Sequence, residues 1–351
     1  MRSAVLTGML LAAVGATQVC AAEPRIGKYV KYDAGEFIVI TSRSANQART
    51  FIEDLAKFRA TLERTLGKPA LNSTTPTTIL ITSNTDWNAW LEPRRNTAGF
   101  FQGARFENHM ALNGDAAFEF SRVVVYHEYT HYYLASQFAA QYPPWFNEGM
   151  AELMGYTRFD KDKAVLRIPM YQVHEARDND WIPFDRLIQV KHSDPEYQSH
   201  KLGPAFYAQS WLTVHYGMVE NREFGRQMLD YIAQINSLVP QETAVANTFG
   251  EDLAAVDQAL RVYARNKNMA SGYVTLGDVP AVTMPAGQPL AEADALEVIT
   301  NILIDGRRLV VTPARVVALW IGQVLPGRIR MWGGGAHVER PKVLRLVVHV
   351  R

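Results

Sequence analysis

The pentapeptide at residues 127–131, His-Glu-Tyr-Thr-His, constrains the fold of this chain more than any other feature. Residues four apart on an α-helix project from one face, so a helix here lets the imidazoles of His127 and His131 reach one cation. Glu128 is displaced around that helix and can take a proton from a metal-bound water. Such a match arises by chance in roughly one chain of this kind per hundred. The alternative is a pair of helix histidines that are solvated or hydrogen-bonded in the core.

A second helix supplies further carboxylates. Pro143 and Pro144 break the first helix, and the segment 145–152 (WFNEGMAE) starts the next one. A catalytic zinc site needs three protein ligands and an open position, and Glu148 can be the third ligand. Glu152, one turn later, can hydrogen-bond the free ring nitrogen of a ligating histidine. The alternative is an ordinary solvated helix face, but the apolar neighbours of both glutamates favour a partly buried location.

The first 22 residues predict export. They combine a cation at Arg2, an apolar run and the small residues Ala21 and Ala22 before the expected cleavage site. This combination is typical of a cleavable secretory signal peptide. Cleavage near Glu23 predicts a periplasmic or secreted protein without stable membrane insertion. The alternatives are an uncleaved membrane anchor and a lipoprotein attached through Cys20.

Cys20 is the only cysteine of the 351 residues, and it lies within the predicted signal peptide. A mature protein that starts near Glu23 therefore has no disulfide and no thiolate ligand. Any metal site must use histidine and carboxylate groups, and the cofactor predicted from the motif is one Zn²⁺ ion.

The charges are balanced overall but not along the chain. Residues 306–351 carry nine lysines and arginines against a single acid, Glu339. A basic tail can indicate contact with nucleic acid or a membrane. Aromatic residues are not interleaved as stacking platforms here, and an exported protein rarely meets nucleic acid. We therefore expect a solvated or poorly ordered tail and no nucleic-acid partner.

The pattern of apolar residues predicts an α+β fold. Strand-like runs lie at residues 36–42, 77–83 and 108–113, and helical spacing predicts a helix that ends at Leu66, before Gly67. The helices predicted downstream cover residues 117–140, 145–155, 204–217, 222–236 and 251–265. The second half of the chain is thus mostly helical.

The carboxyl-terminal part is predicted to be organised differently. Residues 272–289 are rich in Gly, Pro and Thr and indicate a linker. Helices predicted at 290–304 and 313–324 can form one hairpin, through which a protein partner can dock. The predicted organisation is a signal peptide (1–22), a main domain (23–271), the linker (272–289), the helical hairpin (290–324) and an unassigned basic tail (325–351).

Residues 30–265 resemble the gluzincins, the thermolysin-like group of metallopeptidases, and in particular the peptidase-MA-like domains of exported bacterial proteins. In that family an HExxH helix is followed by a Pro-Trp segment and a Glu-Gly-x-Ala-Glu helix, as in residues 144–152 here. The resemblance implies a thermolysin-like zincin domain with a small mixed sheet over the HExxH helix and a mostly helical lower half. It also implies zinc ligands and a general base, which are His127, His131 and Glu148 as ligands and Glu128 as base.

The same resemblance implies how a substrate is held. Residues 98–101 and 108–113 correspond to an edge-strand region above the zinc, where an extended peptide can pair. Tyr207 lies in a segment similar to the family's Tyr-Ala-Gln-Ser helix and can donate to the oxyanion. His200 and His215 compete with it for that role, and the alternative for Tyr207 is a packed aromatic residue.

Two functions fit these features. The first is zinc-dependent hydrolysis of peptide bonds by a metal-activated water, with a peptide or protein as substrate. The second is a non-catalytic zinc-binding or peptide-binding protein of the same fold. The presence of Glu128 together with all three ligands favours the first.

Overall fold

The computed structural model describes residues 26–305, with short internal gaps, and three short strands near the carboxyl terminus. The gaps are residues 36, 68–75, 92–98, 104–107, 116–117, 137–141, 179, 280–281 and 284. The predicted signal peptide and the helix predicted at 313–324 lie outside the described residues. Among the helices that are described, none is both long and apolar enough to cross a membrane.

The first half of the chain builds a mixed sheet. Its strands are β1 (Val30–Ala34), β2 (Phe37–Thr41), β3 (Thr77–Thr82), β4 (Gly99–Gly103) and β5 (Asn108–Asn113). Strands β2, β3 and β5 run parallel in the centre, with Ile38 opposite Thr78 and Thr78 opposite His109. Strands β1 and β4 pair antiparallel with β2 and β5. The predicted α+β class with a small mixed sheet is confirmed.

Both faces of this sheet are buried, because successive side chains of a strand point to opposite faces. On one face Val39 and Ile79 belong to the main apolar core. On the other face Ile40 and Leu80 belong to a second apolar cluster. The sheet therefore requires a covering layer on each side.

Helix α1 (Ala45–Leu66) contributes to the main core. The Ser44 side chain accepts from the backbone N–H of Gln47, and the Gln47 side chain accepts from the backbone N–H of Ser44. This reciprocal capping box satisfies two amide groups that have no partner within the helix. The helix ends before Gly67, as its sequence predicts.

The second apolar cluster begins just after β3. The short helix α2 (Asn84–Asp86) continues as a π-helical turn at Trp87–Leu91. The side chains of Trp87 and Leu91 are buried in the cluster with Ile40. Part of the second face of the sheet is thus covered by the segment that follows β3 in the sequence.

Helices α3 (Phe118–Ser136) and α4 (Pro144–Gly155) pack against each other and confirm the two helices predicted around the Pro-Pro break. Pro144 occupies the first position of α4, where a missing backbone N–H costs no helical hydrogen bond.

The second half of the chain is mostly helical, as predicted. A hairpin of β6 (Thr157–Asp160) and β7 (Lys163–Leu166) leads into α5 (Met170–Asp178), α6 (Phe184–Leu187), α7 (Pro195–Gln198), α8 (Gly203–His215), α9 (Arg222–Asn236), α10 (Gln241–Phe249) and α11 (Leu253–Ala264). Helices α8, α9 and α11 confirm three predictions, and a π-helical turn at Tyr216–Glu220 extends α8. Helices α5, α6, α7 and α10 were not predicted, since each is too short for a clear helical pattern.

Residues 272–289 contain strands, which differs from the predicted linker. Strand β8 (Gly272–Thr275) pairs antiparallel with β7, and β9 (Gln288–Pro289) pairs antiparallel with β1. The first sheet thereby has six strands in the order β4-β5-β3-β2-β1-β9. A Cβ on Gly287 would lie 2.7 Å from Cγ1 of Val30. At Gly287 glycine therefore permits close packing and does not indicate a flexible chain.

Helix α12 (Glu292–Asp305) confirms the first helix of the predicted hairpin. Its residues Ile299 and Ile302 are buried in the second apolar cluster with Ile40 and Leu80. The apolar side of α12 therefore covers the second face of the sheet.

The basic tail contains three short strands, β10 (Arg330–Trp332), β11 (Gly335–His337) and β12 (Val348–His349). They pair antiparallel in the order β10-β11-β12 and form a sheet of their own. Strand β11 is thus the central strand and pairs with both β10 and β12.

Candidate metal centre

Three side chains from two helices converge on one point. Helix α3 carries His127 and His131 one turn apart, and α4 places Glu148 opposite them. The Nε2 atoms of the histidines lie 3.1 Å apart. Oε2 of Glu148 lies 3.5 Å from Nε2 of His127 and 3.3 Å from Nε2 of His131. These three residues form a group that can hold a metal ion.

The spacing of the three atoms fits a tetrahedral ion. Ligand atoms about 2.0–2.1 Å from a tetrahedral zinc are separated from one another by about 3.3–3.4 Å. Glu148 is 4% exposed, whereas the side chains of His127 and His131 are 19% and 21% exposed. The cluster is therefore closed on the carboxylate side and accessible on the histidine side, where a fourth ligand can enter.

Close helix packing brings Glu148 to the histidines. A Cβ on Gly155, at the end of α4, would lie 3.3 Å from the backbone oxygen of Val123 in α3. A Cβ on Gly149 would lie 2.4 Å from the backbone oxygen of Ser210 in α8. Because neither glycine carries a side chain, α4 lies tightly between α3 and α8.

Glu152, predicted to orient a ligating histidine, lies beside His127. Its Oε1 is 3.4 Å from Nδ1 of His127, the ring nitrogen that faces away from Glu148. Its other oxygen accepts a 2.8 Å hydrogen bond from Nε2 of Gln172 in α5. Sequence patterns did not identify Gln172, since it lies in α5, which is a short helix that was not predicted. Glu152 is therefore held on both sides.

Glu148 also has a partner that the sequence patterns did not identify. The hydroxyl of Tyr197 in α7 donates a 2.7 Å hydrogen bond to Oε1 of Glu148. Tyr197 is 49 residues from Glu148 and lies in a four-residue helix, so no local spacing connects the two. This contact occupies the carboxylate oxygen that faces away from the histidines.

The charges of the cluster stabilise one another. Burial alone lowers the pKa of His127, but the contact with Glu148 and the charges of Glu152, Glu148 and Glu128 outweigh burial and raise it to about 9. Burial alone raises the pKa of Glu148, but the contacts and charges of His127 and His131 hold it well below its usual range. The pKa of Glu152 is raised, chiefly because the carboxyl group is buried. A cation that binds here meets an ionised Glu148 and displaces a proton from His127.

Glu128 and Tyr207 lie around the same cluster. Glu128 follows His127 on α3 and is half-buried. Tyr207 is half-buried on α8, with its ring centroid 6.0 Å from that of Tyr197. Its pKa is raised by burial first, and then by negative charges that include those of Glu148 and Glu128. The structure thus brings the predicted base and the predicted oxyanion donor to the three-residue cluster.

Of the two histidines that compete with Tyr207, one is a core residue. His215 is fully buried, and its Nδ1 lies 2.8 Å from the hydroxyl of Tyr263 in α11. Its ring packs between those of Trp211 and Tyr263. His200 is exposed in the turn that precedes α8. His215 therefore connects α8 to α11, and these contacts assign it a packing role.

Strand β4 lies at the edge of the described sheet and beside α3. It pairs with β5, with Gly99 opposite Leu112. A Cβ on Gly99 would lie 3.2 Å from Cγ1 of Val124 in α3. An edge strand has backbone N–H and C=O groups available to pair with an extended peptide. This edge approaches the helix that carries His127.

No family model matches the sequence, and a comparison with curated proteins finds no match.

Proposed function

We propose that this protein is a zinc metallopeptidase of the gluzincin type, with a thermolysin-like zincin domain. The observation that carries the proposal is the convergence of His127, His131 and Glu148, whose three facing atoms lie within 3.5 Å of one another. Two histidines and a glutamate are the donor set of catalytic zinc sites that keep a fourth position open. Glu128 follows His127 on α3, and its negative charge acts on His127, so it is the candidate for the base that hydrolysis needs.

The donor chemistry supports zinc. Magnesium and calcium prefer sites built from oxygen ligands, whereas imidazole nitrogen suits zinc and the neighbouring transition metals. Oε2 of Glu148 is buried and accepts no hydrogen bond from the described residues. Burying a carboxylate costs free energy unless it is paired with a positive charge, and a bound cation supplies such a charge directly. When bound, a zinc ion polarises a substrate carbonyl and lowers the pKa of water toward neutrality.

The remaining residues then have separate roles. Glu128 accepts a proton from the attacking water, because it follows the ligand His127 on the same helix. Tyr207 donates its hydroxyl proton toward the charge that develops on the substrate carbonyl oxygen, and its raised pKa keeps that proton in place. The edge of β4 holds an extended peptide through backbone hydrogen bonds. These roles support hydrolysis of peptide bonds in a peptide or protein substrate.

We also propose that the protein acts outside the cytoplasm, since residues 1–22 have the composition of a cleavable signal peptide. Amino-terminal sequencing of the native protein tests this proposal. A mature chain that starts near Glu23 is the expected result. A native chain that still carries Arg2 would contradict cleavage and favour a membrane anchor.

The function is tested with Glu128→Gln in the mature protein. The amide cannot accept a proton, so cleavage of a peptide library should fall by about 10²–10⁴-fold while zinc stays bound. Glu297→Gln is a matched control, because Glu297 is exposed on α12 and the same charge is removed. It should leave cleavage and zinc content unchanged.

Two measurements accompany the cleavage assay. Metal analysis should find one zinc ion per chain, and a chelator should abolish cleavage. Wild-type protein that retains zinc but cleaves no peptide would support the alternative, a non-catalytic zinc-binding or peptide-binding protein. Equal cleavage by wild type and Glu128→Gln would contradict the role of Glu128.

A further inference from the structure

We propose that Tyr197 is a positioning residue that makes Glu148 bind the metal through one oxygen only. This inference rests on the proposed zinc site. It assigns a role to a hydroxyl that contacts a metal ligand and does not itself contact the metal.

The two oxygens of Glu148 have different surroundings. Oε1 accepts the 2.7 Å hydrogen bond from the Tyr197 hydroxyl. Oε2 accepts no hydrogen bond from the described residues and faces Nε2 of both His127 and His131. A short hydrogen bond to an ionised carboxylate is among the stronger ones in proteins. Tyr197 therefore engages one oxygen and leaves the other for the metal.

The Tyr197 ring is fixed by aromatic contacts. Its centroid lies 4.9 Å from that of His192 and 5.6 Å from that of Phe206, and both pairs are close to edge-to-face. Tyr207 packs on it at 6.0 Å. These contacts hold the hydroxyl in place, and they would remain if the hydroxyl were removed.

The segment that carries Tyr197 is also anchored by charge. The guanidinium of Arg186 in α6 donates from Nε and Nη2 to the two oxygens of Glu196, at 2.8 and 2.9 Å. The same Nη2 donates to Oδ2 of Asp194 at 2.8 Å. Asp194 lies three residues before Tyr197 in the sequence, and Glu196 directly precedes it. A bidentate guanidinium pair has a fixed geometry, which lysine cannot reproduce.

The position of Tyr197 also separates its role from that of Tyr207. The Tyr197 hydroxyl donates its single proton to Glu148 and also interacts with the Tyr207 hydroxyl, so Tyr197 has no second proton to offer a substrate. Without the Tyr197 hydroxyl, Oε1 of Glu148 is free to approach the metal as well. A second oxygen would raise the coordination number from four to five and occupy the position that substrate needs.

The test is Tyr197→Phe, which removes the hydroxyl and keeps the ring. Zinc affinity is measured by competition with a chromophoric chelator, and coordination by the visible spectrum of the cobalt-loaded protein. We expect zinc binding about 10–100-fold weaker than in wild type. We also expect weaker cobalt absorption, since five-coordinate cobalt absorbs less than tetrahedral cobalt. The melting temperature without metal should match that of wild type.

Tyr142→Phe is the matched control, because Tyr142 stacks on Phe146 of the same helix that carries Glu148. It should change neither zinc affinity nor the cobalt spectrum. Arg186→Gln keeps Tyr197 and loosens its segment, so zinc binding should weaken by less than in Tyr197→Phe. This second variant keeps the test valid if Tyr197→Phe folds poorly.

The outcomes separate this inference from the proposed function. Wild-type affinity and an unchanged cobalt spectrum in Tyr197→Phe, with zinc bound tightly by wild type, would overturn the role of Tyr197 alone. Failure of wild type to bind zinc or cobalt would overturn the metal site and this inference with it.

Discussion

Glu148 and Glu152 lie one turn apart on α4, and their surroundings give them different roles. Oε2 of Glu148 faces the Nε2 atoms of both histidines. Glu152 faces Nδ1 of His127 and accepts a hydrogen bond from Gln172. A ligand and a residue that orients a ligand should respond differently when each is removed.

We predict that Glu148→Ala loses zinc under mild chelation, because only His127 and His131 remain as ligands. Glu152→Ala removes one contact to a ligand, so zinc affinity should fall about 10–100-fold while zinc can still be loaded at higher concentration. Zinc content after dialysis against a weak chelator, measured for both variants, checks this prediction. Zinc loss in Glu152→Ala together with retention in Glu148→Ala would reassign the third ligand.

The residues of the site differ in how far the sequence identifies them. His127 and His131 are four apart on one helix, and Glu148 follows on the next, so helix geometry suffices to propose them. Gln172 and Tyr197 are brought to the cluster from α5 and α7, 20 and 49 residues from the glutamates that they contact. Their positions depend on tertiary packing, which no local pattern encodes.

At the scale of elements, helices α8 and α11 are joined by a buried polar contact between His215 and Tyr263. Burial lowers the pKa of His215 to about 4, so the imidazole is neutral in the folded protein near neutral pH. A histidine in an unfolded chain titrates near 6.5. Since the folded value is the lower one, the unfolded state takes up the proton first as the pH falls.

The pH dependence of stability follows from this difference. We predict that the contribution of His215 to the free energy of unfolding is fully present above about pH 6.5 and is lost toward pH 4, by up to about 3 kcal/mol. His215→Gln keeps a hydrogen-bonding group near Tyr263 but does not titrate. Urea unfolding of both proteins at about pH 7.5 and about pH 5 should show a smaller loss of stability for the variant. Equal losses would contradict the prediction.

Two kinds of element were predictable from the sequence: long helices with a periodic apolar pattern, and β-rich runs with clear ends. Helix α1 has a regular apolar stripe and a capping box, and β3 and β5 are β-rich runs with clear ends. Strand β9 has only two residues, which is too short for a sequence pattern, and it is defined by its pairing with β1. Gly287 illustrates why 272–289 indicated a linker, because the sequence does not distinguish glycine required for close packing from glycine in a flexible segment.

At the scale of the whole molecule, the sheet is a middle layer. Its first face packs on the helices of the main core, which include α3 and α4. Its second face packs on the π-helical turn after α2 and on α12, which comes about 200 residues later. Helix α12 is therefore part of the main fold, and the strands of the basic tail pair with one another.

This arrangement predicts different outcomes for two truncations. A chain that ends at Leu325 loses residues 326–351 and keeps α12, so it should retain zinc and the wild-type melting temperature. A chain that ends at Pro289 loses Ile299 and Ile302, each of which contributes about 1.5–3 kcal/mol by burial. That loss is comparable with the total stability of many domains, about 5–15 kcal/mol, and it exposes Ile40 and Leu80. The shorter chain should melt at a lower temperature or aggregate.

Thermal unfolding, light scattering and zinc content of both truncated chains check this prediction. Ile299→Ala in the full chain is a milder version of the second truncation, and it should destabilise by about 2–5 kcal/mol because Ile299 is fully buried. Aggregation or zinc loss on removal of residues 326–351 would show that the tail packs on the main fold. Wild-type stability of the chain that ends at Pro289 would show that the second face of the sheet tolerates solvent without α12.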